Sequence, residues 1–123
     1  MKLVIIAAAS AAAVSFCSAA RADGDAAAGK TVFNKCAICH PREPGKKSVG
    51  PTLFGVIGRQ SASVEGFSYS DAMKAANKTW DAATLDAYLT DPKALVPGTK
   101  MTFAGLPKAE DRANLIAYLA TLK

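Results

Sequence analysis

The chain has 123 residues, half of them hydrophobic and one-fifth charged, with a formal net charge of +5. This length suits one domain, and the composition excludes a disordered tail because enough apolar side chains are present to bury a core. A domain of this size is marginally stable on its core alone, so a large apolar cofactor would add to its stability.

The first 22 residues have the pattern of a cleavable secretory signal. Lys2 gives a basic start, residues 3–20 carry no charge, and residues 20–22 (Ala-Arg-Ala) form a small-x-small cleavage site. Cleavage there would leave a domain of residues 23–123, and the loss of Lys2 and Arg21 would lower the formal charge from +5 to +3. The uncharged run is close to a membrane-spanning length, so a retained anchor is the alternative.

Helices are predicted at both ends of the remaining chain. The first covers residues 25 to about 37, where Ala28, Val32 and Phe33 form an apolar stripe. The last has Pro107 in its first turn and runs to about Leu122.

Two shorter helices are predicted between them, over 71–76 with Ser70 as cap and over 82–90 with Asp81 as cap, the second ended by Pro92. Gly- and Pro-rich loops cover 41–66 and 92–106, and no alternating strand of useful length is visible. Such loops are long for a bare helical bundle, whereas a central cofactor wrapped by them would explain their length.

Cys36-Ala-Ile-Cys39-His40 is the C-x-x-C-H pattern of covalent haem attachment. The two thiols can each bond to a haem side chain, and the adjacent histidine can direct its ring at the iron. A thioredoxin-like dithiol would follow a strand in a βαβ unit, but the residues before Cys36 have a helical pattern. A zinc site needs about four ligands, and the chain after cleavage has two cysteines and one histidine.

His40 is the only histidine, so the second axial position within one chain is taken by Met, Lys, water or nothing. Met73 lies in a helical stretch and is interpreted as core filler. Met101 lies in the loop 97–103, where Pro and Gly fix the backbone and a thioether can be presented to the iron.

Further segments match one family over nearly all of the chain after residue 28. They are residues 29–33, 36–40, 50–59, 66–72, 79–80, 85–93, 97–105 and 115–119. Together they resemble the class I cytochromes c, especially mitochondrial cytochrome c and the short bacterial cytochromes c2. The resemblance implies an all-α class I cytochrome c fold, with four to five helices and long loops wrapped around one covalently bound haem.

The resemblance also implies a role for each site residue. Cys36 and Cys39 would hold one haem c, and His40 and Met101 would bind its iron. The Pro51 carbonyl would accept a hydrogen bond from Nδ1–H of His40. The other expected haem contacts are Arg59, Tyr69 and Trp80 at a buried propionate, and Tyr88 and Thr99 near the Met sulfur or the haem edge. Gly29 and Phe33 would pack on Leu115 and Tyr118, where the terminal helices cross.

Two departures from the family pattern are visible. Pro41 directly follows the haem histidine, and the loop over 41–49 is about one residue short, so its path should differ. Met73 occupies a position that is often Asn in the family, which removes the usual polar contact there.

The resemblance implies a soluble, monomeric, single-haem electron carrier of the bacterial periplasm rather than an enzyme. The expected donor is a bc1-type complex, and the acceptor an oxidase, a photosynthetic reaction centre or a reductase. Docking on their acidic surfaces would use the lysines expected around the haem edge, which are Lys35, Lys93, Lys100 and Lys108. No nucleic-acid binding and no stable membrane insertion after cleavage are expected. The alternatives are a haem peroxidase or ligand sensor with an open sixth position, and a permanently bound subunit of one enzyme.

Overall fold

The computed structural model describes residues 24–123, so the predicted signal segment 1–22 lies outside the described residues. These 100 residues contain five α-helices: α1 (Ala26–Ala37), α2 (Asp71–Ala75), α3 (Ala82–Thr90), α4 (Pro92–Leu95) and α5 (Ala109–Leu119). Residues 24–123 contain no β-strand, only the isolated bridges Lys47–Pro51 and Gln60–Thr79. The predicted all-α fold class is confirmed.

The crossing of α1 and α5 is the main helix contact of the fold. A Cβ atom on Gly29 would overlap the backbone of Asn114 and lie 2.9 Å from Cβ of Tyr118, so only glycine allows this approach. The rings of Phe33 and Tyr118 are 5.2 Å apart between centroids, a favourable tilted pair. Leu115 is fully buried in the same core. These contacts agree with the packing predicted for the two terminal helices.

Aspartate and serine side chains fix the starts of the first three helices. The carboxylate of Asp25 accepts from the amides of Ala27 and Ala28 at the start of α1. Ser70 Oγ accepts from the Met73 amide at the start of α2, and an Asp81 carboxylate oxygen accepts from the Thr84 amide at the start of α3. Each cap satisfies an amide that has no partner within its helix.

Pro92 does more than end α3. It occupies the first turn of α4, where its missing N–H is not needed, and the Asp91 carboxylate accepts from the Ala94 amide to cap this turn. The loop predicted over 92–106 therefore begins with a helical turn.

The last helix is shorter than predicted at both ends. It begins at Ala109 after Lys108, and no side chain caps it. Pro107 lies before the helix, because the backbone of Lys108 is extended (φ −85°, ψ 122°), and its carbonyl oxygen accepts from Arg112 Nη1 at 3.2 Å. After Leu119 the chain turns, and the Leu122 carbonyl accepts from the Gly55 amide at 2.6 Å, which joins the C-terminus to the first long loop.

None of the helices between residues 24 and 123 is both long and apolar enough to cross a membrane.

Candidate functional site

A cavity of about 540 Å³ lies between α1, α3 and the long loops. All ten residues predicted to contact a cofactor line this cavity: Cys36, Cys39, His40, Pro51, Arg59, Tyr69, Trp80, Tyr88, Thr99 and Met101. The first and last of them, Cys36 and Met101, are 65 residues apart in the sequence. The fold therefore brings together groups that no local pattern would place side by side.

The end of α1 places two cysteines and the histidine on one wall of the cavity. The amides of Cys39 and His40 both bond to the Cys36 carbonyl, at 3.0 and 2.9 Å, which turns the chain tightly after the helix. Burial and the neighbouring Cys39 raise the pKa of the Cys36 thiol to about 11. This thiol therefore stays protonated at neutral pH, which does not suit a thiolate nucleophile.

His40 is oriented by its backbone neighbours. Its Nδ1 atom lies 2.8 Å from the Pro51 carbonyl oxygen, which can only accept, so Nδ1 carries the proton and the lone pair of Nε2 is available to a metal. Burial lowers the pKa of His40, and Arg59 also lowers it against the opposing effect of the Pro51 hydrogen bond. The ring is therefore neutral at neutral pH, as a metal ligand must be.

Gly50 leaves the space that the His40 ring occupies. A Cβ atom at this position would lie 2.6 Å from Nδ1 of His40, a distance far below van der Waals contact. The Gly50 amide also donates to the Cys39 carbonyl at 2.8 Å, so the segment before Pro51 is fixed against the end of α1.

The loop that carries Met101 is tied to α3 through two hydroxyl groups. The Met101 amide donates to Thr99 Oγ1 at 3.3 Å, and Thr99 Oγ1 lies 3.3 Å from the Tyr88 hydroxyl. Met101 is partly buried against the core. Met73, predicted as core filler, packs against the core and also lines the cavity, so two thioethers face this space.

Arg59 brings a positive charge into the cavity wall. It donates to the Phe54 carbonyl at 3.1 Å, and within residues 24–123 no acidic side chain forms an ion pair with it. Burial lowers its pKa, which means that the charged form lacks full solvation. A half-buried cation of this kind is suited to an anionic group of a ligand.

Aromatic side chains complete this part of the wall. The Tyr69 hydroxyl accepts from the Val64 amide at 3.1 Å, which fixes its position near the loop turn. Trp80 is buried with its ring 4.9 Å from that of Tyr88.

The predicted docking lysines divide into two pairs. Lys35 and Lys100 line the cavity, whereas Lys93 on α4 and Lys108 before α5 do not. Two apolar side chains, Ile38 and Val49, also line the cavity and are 80% and 77% exposed. The sequence did not indicate them as site residues. Their apolar character was the available signal, but their exposure depends on loop paths that sequence does not show.

A covalently attached haem fits this set of groups. The cavity combines two adjacent thiols, an imidazole with a free Nε2, thioethers, a cation without an anion, and an apolar lining. The apolar lining residues include Leu53, Val56, Phe67, Leu85, Phe103 and Leu115. A haem needs apolar walls for its ring, a cation for its propionates and an imidazole for its iron.

Comparisons with known proteins support the same cofactor. Residues 26–123 match the sequence family described as Cytochrome c. The chain is 61% identical over 100 residues to the c-type cytochrome cy of Rhodobacter capsulatus, an alignment covering 80% of this chain and 50% of that protein. The chain thus spans about half the length of this relative.

Other relatives match over almost their full length. Cytochrome c2 of Rhodomicrobium vannielii is 52% identical over 122 residues, which cover 98% of this chain and 97% of that protein. The solved structure of cytochrome cH from Methylobacterium extorquens superposes with a TM-score of 0.75 at 46% identity, covering 80% of this chain and 99% of that one. Agreement in sequence, fold and attachment motif leads to one assignment. This electron-carrier chain belongs to the class I cytochrome c family and has haem c covalently attached through Cys36 and Cys39.

Proposed function

We propose that this protein is an exported one-electron carrier, and not an enzyme, whose haem iron is bound by Nε2 of His40 and the sulfur of Met101. The observation that carries the proposal is the cavity in which both ligands are fixed by the chain itself. His40 is held through Nδ1 by Pro51 at 2.8 Å, and the Met101 amide is held by Thr99 at 3.3 Å.

The bound haem supplies an iron that changes oxidation state by one electron. The protein keeps both ligands in place through this change, because the Pro51 carbonyl prevents rotation of the His40 ring and Thr99 ties the Met101 loop to Tyr88. A site with two fixed protein ligands leaves no open position for peroxide or a gas. This arrangement favours electron transfer over catalysis at the iron.

The remaining predicted contacts would hold the propionates and the Met101 side. Arg59 would donate to a propionate, since its charge has no acidic partner within residues 24–123. Tyr69 and Trp80 would bond the same group. Tyr88 and Thr99 would orient the thioether of Met101 through the hydroxyl pair that already links them.

Partner docking would use the cavity face that carries Lys35 and Lys100. These lysines line the same cavity as the exposed apolar side chains of Ile38 and Val49, a combination suited to a small, short-lived contact with an acidic surface. Lys93 and Lys108 would add to the positive field from outside the cavity. The partners would be a bc1-type donor and an oxidase, reaction centre or reductase as acceptor.

Export to the bacterial periplasm rests on the signal pattern of residues 1–22 and on the need to attach haem c outside the cytoplasm. The proposed domain is residues 23–123. Mass spectrometry of the exported protein would show a chain beginning at Asp23. A chain that keeps Met1 and fractionates with membranes would instead indicate an anchored carrier.

A potentiometric titration of the haem-loaded protein tests the carrier function, with a peroxide assay on the same sample. For a carrier, the reductive and oxidative titrations follow the same one-electron Nernst curve, and the sample does not turn over hydrogen peroxide with a reducing dye. Steady peroxide turnover would support the peroxidase or sensor alternative. So would reductive and oxidative curves that differ because a ligand leaves the iron on reduction.

A further inference from the structure

Arg42 lies two residues beyond His40 and contacts the crossing of the terminal helices. Its Nη1 atom donates to the Tyr118 hydroxyl at 3.0 Å, and its guanidinium carbon is 5.8 Å from the centroid of the Phe33 ring. Phe33 is 1% exposed and Tyr118 is 8% exposed, so an exposed arginine covers two buried rings. One guanidinium thus makes a hydrogen bond and a cation–π contact at the same crossing.

The segment around Arg42 is also bonded to the segment that orients His40. The Pro41 carbonyl accepts from the Leu53 amide at 2.9 Å and lies 3.4 Å from Thr52 Oγ1. Thr52 Oγ1 also donates to the Glu43 carbonyl at 2.7 Å, and Thr52 is buried. Residues 41–43 and 51–53 are therefore linked into one hydrogen-bonded unit, and this unit includes the Pro51 carbonyl that accepts from His40 Nδ1.

We propose that Arg42 is a positioning residue for His40, fixing the 41–53 unit to the α1–α5 crossing through Tyr118 and thereby holding the Pro51 carbonyl against the imidazole. The proposal rests on the ligand role of His40 given above. A planar guanidinium can stack on one ring while bonding the hydroxyl of another, whereas a lysine ammonium at the same place cannot do both. Loss of either contact loosens the attachment of this unit to the crossing, and it leaves the ligands and the Gly50–Cys39 hydrogen bond in place.

The test uses two replacements that leave the net charge unchanged, Arg42→Lys and Tyr118→Phe, in the full haem-loaded protein. In the reduced state, NMR measures solvent exchange of the His40 Nδ1 proton and the Leu53 amide proton. Each variant should speed both exchanges by about tenfold, the effect of losing one net hydrogen bond. The double variant should not exceed Arg42→Lys, because Tyr118→Phe removes only the hydrogen bond that Arg42→Lys already disrupts.

Two references separate positioning from general stability. The Leu106 amide, which bonds to the Leu89 carbonyl at 2.7 Å in another part of the fold, should keep its exchange rate within about twofold. Lys46→Arg, a charge-neutral change in the same loop, should leave all three rates unchanged. The reduction midpoint should shift in the same direction in both variants, since both would weaken the hydrogen bond from His40 Nδ1 to Pro51 without changing the net charge.

Unchanged exchange at His40 and Leu53 in Arg42→Lys would overturn the proposal. Equal acceleration at Leu106 would also overturn it, because Arg42 would then only stabilise the whole fold. Failure of the His40 ligand role itself would appear separately, as an open iron site in the optical spectrum of the unaltered protein. Arg42 is exposed, so Arg42→Lys decides the question even if Tyr118→Phe loads haem poorly.

Discussion

The Nδ1 atom of His40 donates to the carbonyl oxygen of Pro51 across 2.8 Å, and the residue before Pro51 is a glycine with no room for a side chain. Ligand orientation and backbone packing are therefore set by the same two positions. The hydrogen bond fixes which nitrogen would face the iron under the proposed ligation, and the glycine fixes how close the backbone can approach the ring.

Gly50→Ala should destabilise the haem-loaded protein by about 1–3 kcal/mol, because its Cβ would overlap the His40 ring. Urea unfolding measures the loss. Gly45→Ala is the matched control: no atom lies within 4 Å of its Cβ, and only its φ of +72° costs energy, about 1–2 kcal/mol. Both variants lose stability, but only Gly50→Ala should alter the haem absorption bands, because only its Cβ would meet the His40 ring. Unaltered bands in Gly50→Ala would show that the ring has space that the structure does not give it.

Arg112→Ala should cost about 2–3 kcal/mol of unfolding free energy. The Arg112 side chain is 12% exposed and donates to Asp86 at 2.8 Å, and to the carbonyls of Leu106 at 2.8 Å and Pro107 at 3.2 Å. The contrasting variant is Lys74→Ala, which removes an exposed pair with Asp71 at 4.0 Å and should cost less than about 0.5 kcal/mol. Equal losses in the two variants would contradict the importance assigned to Arg112.

Asp81 should contribute to acid stability. Its carboxylate accepts from the Thr84 amide and side chain, which lowers its pKa below the ordinary value of 3.8. A lowered folded pKa means that the contribution is complete above 3.8 and is lost as the pH falls through the folded value. Asp81→Asn keeps a capping side chain but does not titrate, so unfolding free energies of the two proteins should converge in acid. A constant difference across this pH range would refute the linkage.

Association with an acidic redox partner should slow steeply with added salt, as measured by stopped-flow electron transfer. Lys35→Gln and Lys100→Gln should each lower the rate at low salt and flatten this dependence, since both lysines line the cavity. Lys30→Gln, on α1 outside the cavity lining, should have a smaller effect. A rate that does not depend on salt would rule out electrostatic steering.

Local patterns predicted much of the helical structure, since capping acts over a few residues. Ser70 and Asp81 cap the helices for which the sequence predicts them. Pro92 was interpreted only as a stop signal, because a proline that ends one helix and starts the next leaves the same local pattern. Pro107 suits the first turn of a helix, but α5 begins two residues later, after the extended backbone of Lys108.

The cofactor site was predictable where the chemistry is local. Cys36, Cys39 and His40 lie within five residues, and the motif alone indicated haem. Arg59 and Tyr69 entered through the family resemblance, because nothing near them in the sequence marks a propionate contact. Arg42 and Tyr118 are 76 residues apart, so no local pattern indicated their contact. Arg42 also lies in a loop that departs from the family pattern, so the resemblance did not indicate it either.

The most direct test of the central claim is the optical spectrum of the exported, haem-loaded protein, oxidised and reduced, with and without carbon monoxide. Ligation by His40 and Met101 predicts sharp low-spin bands, a thioether–ferric charge-transfer band, and no change on adding carbon monoxide. Met101→Ala should lose that band and bind carbon monoxide, whereas Met73→Leu should keep the spectrum of the unaltered protein. High-spin bands or ready carbon monoxide binding in the unaltered protein would contradict the account, because the iron would then have an open position.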